Sequence, residues 1–170
     1  TASRGYHFEV DVDAGGQAPI LSVFGGKITT YRHLAESAVK KLAGYMPILD
    51  GRSWTLQQPL PGGDFPTDGA EDLAHQLQRA YPFLPASLTH RWVRSYGTLT
   101  RSILADANTI ADLGTHFGHG LYAREVDYLI GQEWARSASD ILWRRSKLGL
   151  RFSAEETQKL ESYVAGKLRK

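Results

Sequence analysis

The chain has 170 residues, of which 42% are hydrophobic and 22% charged, and it contains no cysteine. This composition is typical of a soluble globular protein, and the sequence contains no apolar run near the ~20 residues that a membrane span requires. The absence of cysteine excludes disulfides, thiolate metal sites and a cysteine nucleophile. Twenty basic and eighteen acidic residues leave a net charge of +2, an excess too small to require a polyanionic partner.

The first predicted elements are two strands. Residues 5–13 alternate apolar and polar side chains, which is typical of a half-buried strand. Its apolar face would consist of Tyr6, Phe8, Val10 and Val12. Residues 19–24 form an almost continuous apolar run, the pattern of a strand covered on both faces. Because two strands alone are marginally stable, we predict a hairpin that belongs to a larger sheet.

A glycine turn and a helix follow the hairpin. Gly25 and Gly26 break the second strand, and Thr29 or Thr30 can cap a helix whose apolar spacing continues to about residue 43 or 45. Two glycines allow a close backbone approach, and a helix start presents unpaired N–H groups and partial positive charge to an anion. A ligand-contacting turn and a plain strand-to-helix connection both remain open.

A nucleotide-triphosphate loop is excluded at this turn. The Walker pattern requires glycine five residues before the Gly-Lys pair and serine or threonine directly after it, and the chain has Leu21 and Ile28 there. Further along, prolines and glycines are dense between Pro47 and Asp68, which indicates a linker. We place a domain boundary near Pro59–Pro66, so that residues 1–59 and 60–170 form separate domains.

All later patterns are helical. A capping-box spacing is a serine, threonine or aspartate followed three residues later by a glutamate, and it marks a helix start. The first predicted helix follows Asp68-x-x-Glu71, the second covers about 86–96 and is closed by Gly97, and a short third lies near 102–105. A long helix over about 121–135 would have Tyr122, Val126, Leu129 and Trp134 on its inner face. Two more helices would start at Ser137-x-x-Asp140 and at Ser153-x-x-Glu156.

Two further patterns carry weaker functional signals. His116 and His119 have a metal-ligand spacing, but without a third ligand or any cysteine we predict a structural or surface role and no metal site. The basic run 143–151 could bind a polyanion or an anionic membrane, and the alternative is a solvated face. Its charge would be balanced by the acids Glu125, Asp127, Glu133 and Asp140. No catalytic triad or carboxylate-pair motif is present, so we predict no catalytic residue within the chain.

Several segments, taken in order, resemble the flavin-dependent respiratory (aerobic) glycerol-3-phosphate dehydrogenases. Residues 22–36, Ser-Val-Phe-Gly-Gly-Lys-Ile-Thr-Thr-Tyr-Arg-His-Leu-Ala-Glu, are similar to the end of that family's FAD domain. The segments similar to its helical C-terminal domain are Leu60-Pro-Gly-Gly63, Tyr81-Pro-Phe-Leu84, Arg94-Ser-Tyr-Gly97, Tyr122-x-x-Glu125-Val126-x-Tyr128-Leu129, Glu133-Trp-Ala135 and residues 140–150. The resemblance covers nearly the whole chain and departs from the family at Ile28, where leucine is frequent.

The resemblance implies a mainly α fold. Residues 1–59 would be the remnant of an FAD-binding α/β domain, with its hairpin, Gly-Gly-Lys turn, helix and linker, and residues 60–170 a helical C-terminal accessory domain. It also implies oxidation of sn-glycerol 3-phosphate to dihydroxyacetone phosphate, by hydride transfer from C2 to flavin N5, with electrons passed on to quinone. Lys27 would bind substrate and flavin, and Gly25, Gly26, Ile28 and Thr29 would approach the flavin pyrimidine edge.

The same resemblance sets expectations about partners. No Gly-x-Gly-x-x-Gly is present, and the chain begins at Thr1, so we expect it to be a piece whose dinucleotide-binding half lies upstream. Alone it would neither hold FAD nor turn over. We expect a cytoplasmic protein, peripheral at the inner face of the cytoplasmic membrane, that binds no nucleic acid, and the sequence leaves open whether it is a homo-oligomer. The alternative is a stand-alone helical protein-interaction module without catalysis.

Overall fold

A computed structural model describes residues 5–16, 18–46 and 53–169 of the chain. The chain divides into two compact units, Thr1–Pro59 and Leu60–Lys170. Thr1 and Pro47 lie outside the described residues. The described part contains no helix that is both long and apolar enough to cross a membrane.

The first unit is built on a β-hairpin. Strands β1 (Tyr6–Asp11) and β2 (Ile20–Gly25) pair antiparallel, with Tyr6 opposite Gly25 and Asp11 opposite Ile20. The predicted alternation of β1 is confirmed, because its apolar residues are half-buried and its polar residues exposed. Val12 lies beyond the end of the strand and is exposed, so it does not extend the apolar face.

Helix α1 (Tyr31–Leu42) completes this unit. The Tyr6 hydroxyl of β1 lies 3.2 Å from the Ser37 hydroxyl of α1, so the helix packs on the hairpin. Strand β2 keeps Ile20 and Phe24 largely exposed, and the described residues therefore do not provide the cover on both faces that its apolar run predicts. An apolar strand left open in this way favours contact with a further layer of protein.

The second unit is helical around one core, which confirms the predicted mainly α fold. Its main elements are α2 (Ala70–Ala80), α3 (Ala86–Tyr96), α4 (Thr100–Leu104), β3 (His116–Gly118), β4 (Leu121–Tyr122), α5 (Ala123–Gly131) and α6 (Ala154–Leu168). Short 3₁₀ turns cover Gly97–Leu99, Ile110–Leu113 and Leu148–Leu150, and a π-helix covers Asp140–Arg145. Strands β3 and β4 form a small antiparallel hairpin. Trp92 is the largest fully buried side chain, and leucines such as Leu77 on α2 are fully buried as well.

Two sequence signals of this unit are confirmed in detail. Gly97 ends α3 with a positive φ of 54°, and its N–H donates to the Val93 carbonyl. Ser153 caps α6: its Oγ accepts from the Glu156 N–H at 3.2 Å, and its own N–H donates to the Glu156 carboxylate at 2.8 Å. That backbone hydrogen bond from Ser153 lowers the Glu156 pKa. Both signals are local, which is why they can be read from the sequence.

We expect Ser153→Ala to lower the free energy of unfolding by about 1 kcal/mol, because both the cap and the reciprocal bond lose their geometry. Urea denaturation followed by circular dichroism measures the change. The control is Ser162→Ala on the exposed face of α6, where the hydroxyl only bonds back to the Gln158 carbonyl, and it should cost almost nothing. Equal losses for the two variants would contradict the capping role.

The predicted long helix over 121–135 is wrong at both ends. Leu121 and Tyr122 form β4, and α5 runs only from Ala123 to Gly131. Positive φ at Gly118, His119 and Gly120 allows the tight hairpin that takes these residues out of the helix. Trp134 lies beyond the helix with φ 55° and is 79% exposed, so it is not on an inner face.

The predicted capping box at Asp68 is also wrong. Helix α2 begins at Ala70, its N-cap is Gly69, and no side chain caps it. The reason is a turn in which the Gly69 N–H donates to the Pro66 carbonyl, so that the helix starts two residues after Asp68. Glu71 instead lies in the first helical turn, where a negative charge is favourable.

Candidate functional site

The strand-to-helix turn of the first unit is built on two glycines that no other residue could replace without strain. Gly25 has φ 80° and Gly26 has φ 105°. A Cβ added to Gly25 would lie 2.8 Å from the Gly5 carbonyl oxygen, and one added to Gly26 would lie 2.8 Å from Leu34 Cδ1. The turn therefore needs glycine for its conformation and for its close packing.

A 3₁₀ turn, Ile28–Thr30, lies between these glycines and α1. Lys27 before it is extended, with φ −118° and ψ 149°. The Thr30 hydroxyl donates to the Lys27 carbonyl at 3.0 Å, and the Thr30 N–H donates to the same oxygen. Thr30 is the N-cap of α1 by position but makes no side-chain cap bond, because its hydroxyl closes this preceding turn.

The turn presents its side chains to the surface. Lys27, Ile28 and Thr29 are exposed, Ile28 at 88%. Lys27 forms no ion pair with any residue that the structure describes. The nearby acid Glu36 is already engaged: hydrogen bonds from Ser53 and Thr55, with the charge of Arg32, lower its pKa. The turn thus combines solvent-exposed glycine backbone, the start of a helix and an uncompensated cation, an arrangement suited to a negatively charged group.

The second unit contains a buried charged cluster, formed by Glu125 with Arg91, Trp92 and Tyr96. Glu125 on α5 is 0% exposed. Its Oε1 accepts from Arg91 Nη1 and the Tyr96 hydroxyl, both at 2.7 Å. Its Oε2 accepts from Arg91 Nη2 at 2.6 Å and Trp92 Nε1 at 2.8 Å. Four donors from α3 therefore enclose one carboxylate from α5.

Comparison with known protein families identifies the family of the chain. Residues 53–166 match the model for the C-terminal domain of alpha-glycerophosphate oxidase. The chain belongs to this family. The match begins after the Gly-Gly-Lys turn, so it covers all but the last four residues of the second unit and none of Gly25, Gly26, Lys27, Ile28 and Thr29. Their predicted roles toward substrate and flavin therefore stay predictions.

Longer relatives extend the similarity toward the first unit. The chain is 50% identical to a glycerol-3-phosphate dehydrogenase of Pseudomonas aeruginosa over 92% of its length, and 43% identical to the aerobic glycerol-3-phosphate dehydrogenase of Escherichia coli over 95%. It is also 43% identical to the D-erythritol 1-phosphate dehydrogenase of Brucella abortus over 91%. The chain spans 30%, 32% and 30% of the lengths of these three relatives.

Within this family fold, the cluster of Glu125 with its donors is structural. All four donors come from the protein, and the Glu125 carboxylate has no exposed surface for a ligand. Burial, and then the charge and hydrogen bond of Glu125, raise the pKa of Tyr96, so its hydroxyl keeps its proton and donates. Burial alone would lower the pKa of Arg91, but the hydrogen bond and charge of Glu125 raise it.

The sequence patterns do not predict this cluster. The prediction that Glu125 and Asp127 balance the basic run is wrong: Glu125 pairs with Arg91, and Asp127 bonds with Tyr163 and Lys167. A usable signal was present. Positions 122, 125, 126 and 129 share one helical face, and Glu125 is the acid among apolar residues there. A carboxylate on a buried face requires partners.

Most cations of the basic run 143–151 have hydrogen-bond or ion-pair partners within the second unit. Arg144 pairs with Asp140 at 2.9 Å, and Arg145 donates to the Glu133 carbonyl at 2.6 and 2.9 Å. Lys147 Nζ donates to the Trp143 carbonyl. Arg151 is exposed, and its guanidinium has no partner among the described residues, although its backbone N–H donates to the Leu148 carbonyl. Most of these cations thus hold the π-helix and its ends in place.

The two histidines predicted to be structural lie in the β3–β4 hairpin. His116 Nε2 accepts from the Gly120 N–H at 3.1 Å, and its ring stacks on Tyr122 with centroids 4.6 Å apart. His119 Nε2 lies 3.8 Å from a Glu156 oxygen. The described residues contain no group of three or more histidines and acids that could hold a metal ion.

Proposed function

We propose that this chain is the C-terminal portion of a flavin-dependent glycerol-3-phosphate dehydrogenase, in which the first unit completes the FAD-binding domain. The observation that carries the proposal is the Gly25–Gly26–Lys27 turn, which joins an open glycine backbone to an exposed cation. It is supported by the names of the relatives, which match nearly the whole chain although they are about three times as long.

The residues of the turn fit the flavin and its substrate. When bound, FAD would supply the hydride acceptor: C2 of sn-glycerol 3-phosphate would lose a hydride to it and the C2 hydroxyl would release its proton, which yields dihydroxyacetone phosphate and a reduced flavin whose electrons pass on. Glycines 25 and 26 would let backbone lie against the pyrimidine edge of the ring, with Ile28 and Thr29 at the helix start beside it. Lys27 would stabilise negative charge on the ring or hold polar groups of the substrate.

The substrate class follows from the chemistry that the relatives' names share. Two are named for glycerol 3-phosphate and one for D-erythritol 1-phosphate, so each name specifies a phosphorylated polyol. We propose glycerol 3-phosphate as the substrate, because the relative with the higher identity carries that name. D-Erythritol 1-phosphate is the competing substrate to assay, since that relative is as similar to the chain as the Escherichia coli enzyme.

Further partners belong to the same proposal. Electrons would pass from the flavin to quinone, with the enzyme peripheral at the inner face of the cytoplasmic membrane and forming homo-oligomers. The second unit would support the FAD-binding domain. The exposed apolar side chains of β2, Ile20 and Phe24, are consistent with contact to the upstream FAD domain of the same protein.

We expect Lys27→Ala in the full-length natural protein to lower kcat/KM for glycerol 3-phosphate about 10- to 100-fold, because a positioned cation is lost at the reacting groups. Dye-reduction kinetics measure this loss, and the flavin absorbance of the purified protein reports cofactor content. Lys27→Arg should retain more activity than Lys27→Ala, since it keeps the charge.

The matched control is Lys40→Ala, which removes an exposed lysine from α1 of the same unit and should leave both readouts unchanged. Near-normal kinetics for Lys27→Ala would refute the role of the turn. Absence of flavin and of polyol phosphate oxidation in the unaltered full-length protein would instead refute the enzyme assignment and favour the helical interaction module.

A further inference from the structure

A cleft of about 380 Å³ in the second unit is bordered by basic side chains. Ser87 lies in the first turn of α3 and Arg91 one turn later, His116 and His119 come from the β3–β4 hairpin, and Arg151 follows the last 3₁₀ turn. The volume lies in the lower part of the range for small-molecule sites. These five polar side chains come from three segments, which are α3, the β3–β4 hairpin and the residue after the last 3₁₀ turn.

The charge around this cleft is one-sided. Its lining contains two arginines and two histidines and no aspartate or glutamate. Two acids that are not part of the lining contact its basic residues: Glu125 pairs with Arg91, and an oxygen of Glu156 lies 3.8 Å from His119 Nε2. Arg91 is therefore compensated, whereas Arg151 has no acidic partner among the residues described. An anion in the cleft would meet at least one full positive charge without a competing carboxylate in the lining.

The hairpin fixes the two imidazoles at the cleft. Gly118, His119 and Gly120 all have positive φ, which places His119 within the tight turn, whereas His116 lies on β3 before it. The Gly120 carbonyl accepts from Arg91 Nη2 at 2.8 Å, and the Gly120 N–H donates to His116 Nε2, which ties the hairpin to α3. His119 has φ 49°, a backbone conformation that costs stability for any residue other than glycine. Such a conformation persists only where the surrounding contacts hold it in place.

We propose that this cleft binds the phosphate group of a small phosphate monoester. Guanidinium, imidazole and hydroxyl donors approaching from several sides match a tetrahedral oxyanion better than a planar carboxylate. Arg91 lines the cleft and is held in place by Glu125 and the Gly120 carbonyl, so it would position the anion, and Arg151 would supply the charge. The site lies in the second unit and does not rest on the glycine turn or on the proposed oxidation.

The test is a titration of the full ¹⁵N-labelled chain with inorganic phosphate at constant ionic strength, followed by NMR. We expect saturable shifts at the histidines of the hairpin and at Arg151, and weaker shifts with acetate. Arg151→Gln should weaken phosphate binding about tenfold by removing the uncompensated charge. His119→Asn should weaken it less, and asparagine tolerates the left-handed backbone, so the hairpin is expected to stay folded.

Arg136→Gln is the matched control, because it removes an exposed arginine that lies outside the cleft, and it should change binding less than twofold. Sedimentation with phosphatidylcholine vesicles that contain phosphatidic acid distinguishes the source of the phosphate. Binding of vesicles that depends on Arg151 would assign the site to a lipid headgroup, and binding of free phosphate alone would assign it to a soluble monoester. Non-saturable shifts, or equal losses in Arg151→Gln and Arg136→Gln, would overturn the proposal.

Discussion

Glu125→Gln is expected to lower the free energy of unfolding of the second unit by about 3–5 kcal/mol. The amide offers one acceptor oxygen where the carboxylate accepts four hydrogen bonds, and its NH₂ group would point at donors. Arg91 would also lose the charge that compensates its own partial burial. This loss is a large fraction of the 5–15 kcal/mol by which a whole domain is typically stable.

Urea denaturation followed by far-UV circular dichroism measures this effect. Asp127→Asn is the control, because Asp127 lies on the same helix and also pairs with a cation, Lys167, at 2.7 Å, but is 41% exposed. Exposed pairs contribute only about 0–1 kcal/mol. A loss for Glu125→Gln no larger than that for Asp127→Asn would show that the buried cluster is not a main source of stability.

We also expect Gly97→Ala to cost more than about 3 kcal/mol of unfolding free energy. A Cβ at this position would lie 1.9 Å from the Gly62 carbonyl oxygen, and the backbone has φ 54° and ψ −128°, which side chains disfavour. The Gly62 carbonyl cannot move away easily, because it accepts from the Thr98 N–H at 3.1 Å. Relief of the clash therefore requires the whole contact between the two chain segments to shift.

The control for this variant is Gly166→Ala in α6. No atom lies within 4 Å of a Cβ built there, and φ is not positive. Alanine in a helix interior is favoured over glycine by about 1 kcal/mol, so this variant should be neutral or slightly stabilised. Thermal unfolding of both variants separates a specific clash from a general effect of adding a methyl group. Comparable melting temperatures would contradict the packing argument.

The predictions from sequence succeeded where a few neighbouring residues determine the outcome. Ser153 with Glu156 marks the start of α6, and Gly97 marks the end of α3. They failed where distant or irregular structure decides. The apolar spacing of residues 121–135 is compatible with one helix, and only the hairpin that pairs Leu121 with Gly118 explains why α5 starts later.

The candidate sites divide in the same way. The glycine turn before α1 was identified from its residues, and its positive φ angles agree with the need for glycine there, while its role toward flavin stays a prediction. The surroundings of Glu125 could not be predicted, since its partners lie 29 to 34 residues away along the chain. A buried acid on an apolar face indicates that partners exist, but not which they are.

The distance along the chain between Glu125 and its partners also has a consequence for how the domain unfolds. Helices α3 and α5 bring together donors and an acceptor that are 33 and 34 residues apart. A state in which only one of these helices is docked would leave a charge buried or a donor unsatisfied, which costs several kcal/mol. Partly opened forms that separate α3 from α5 are therefore penalised, and the two helices should exchange their amide protons as one cooperative block.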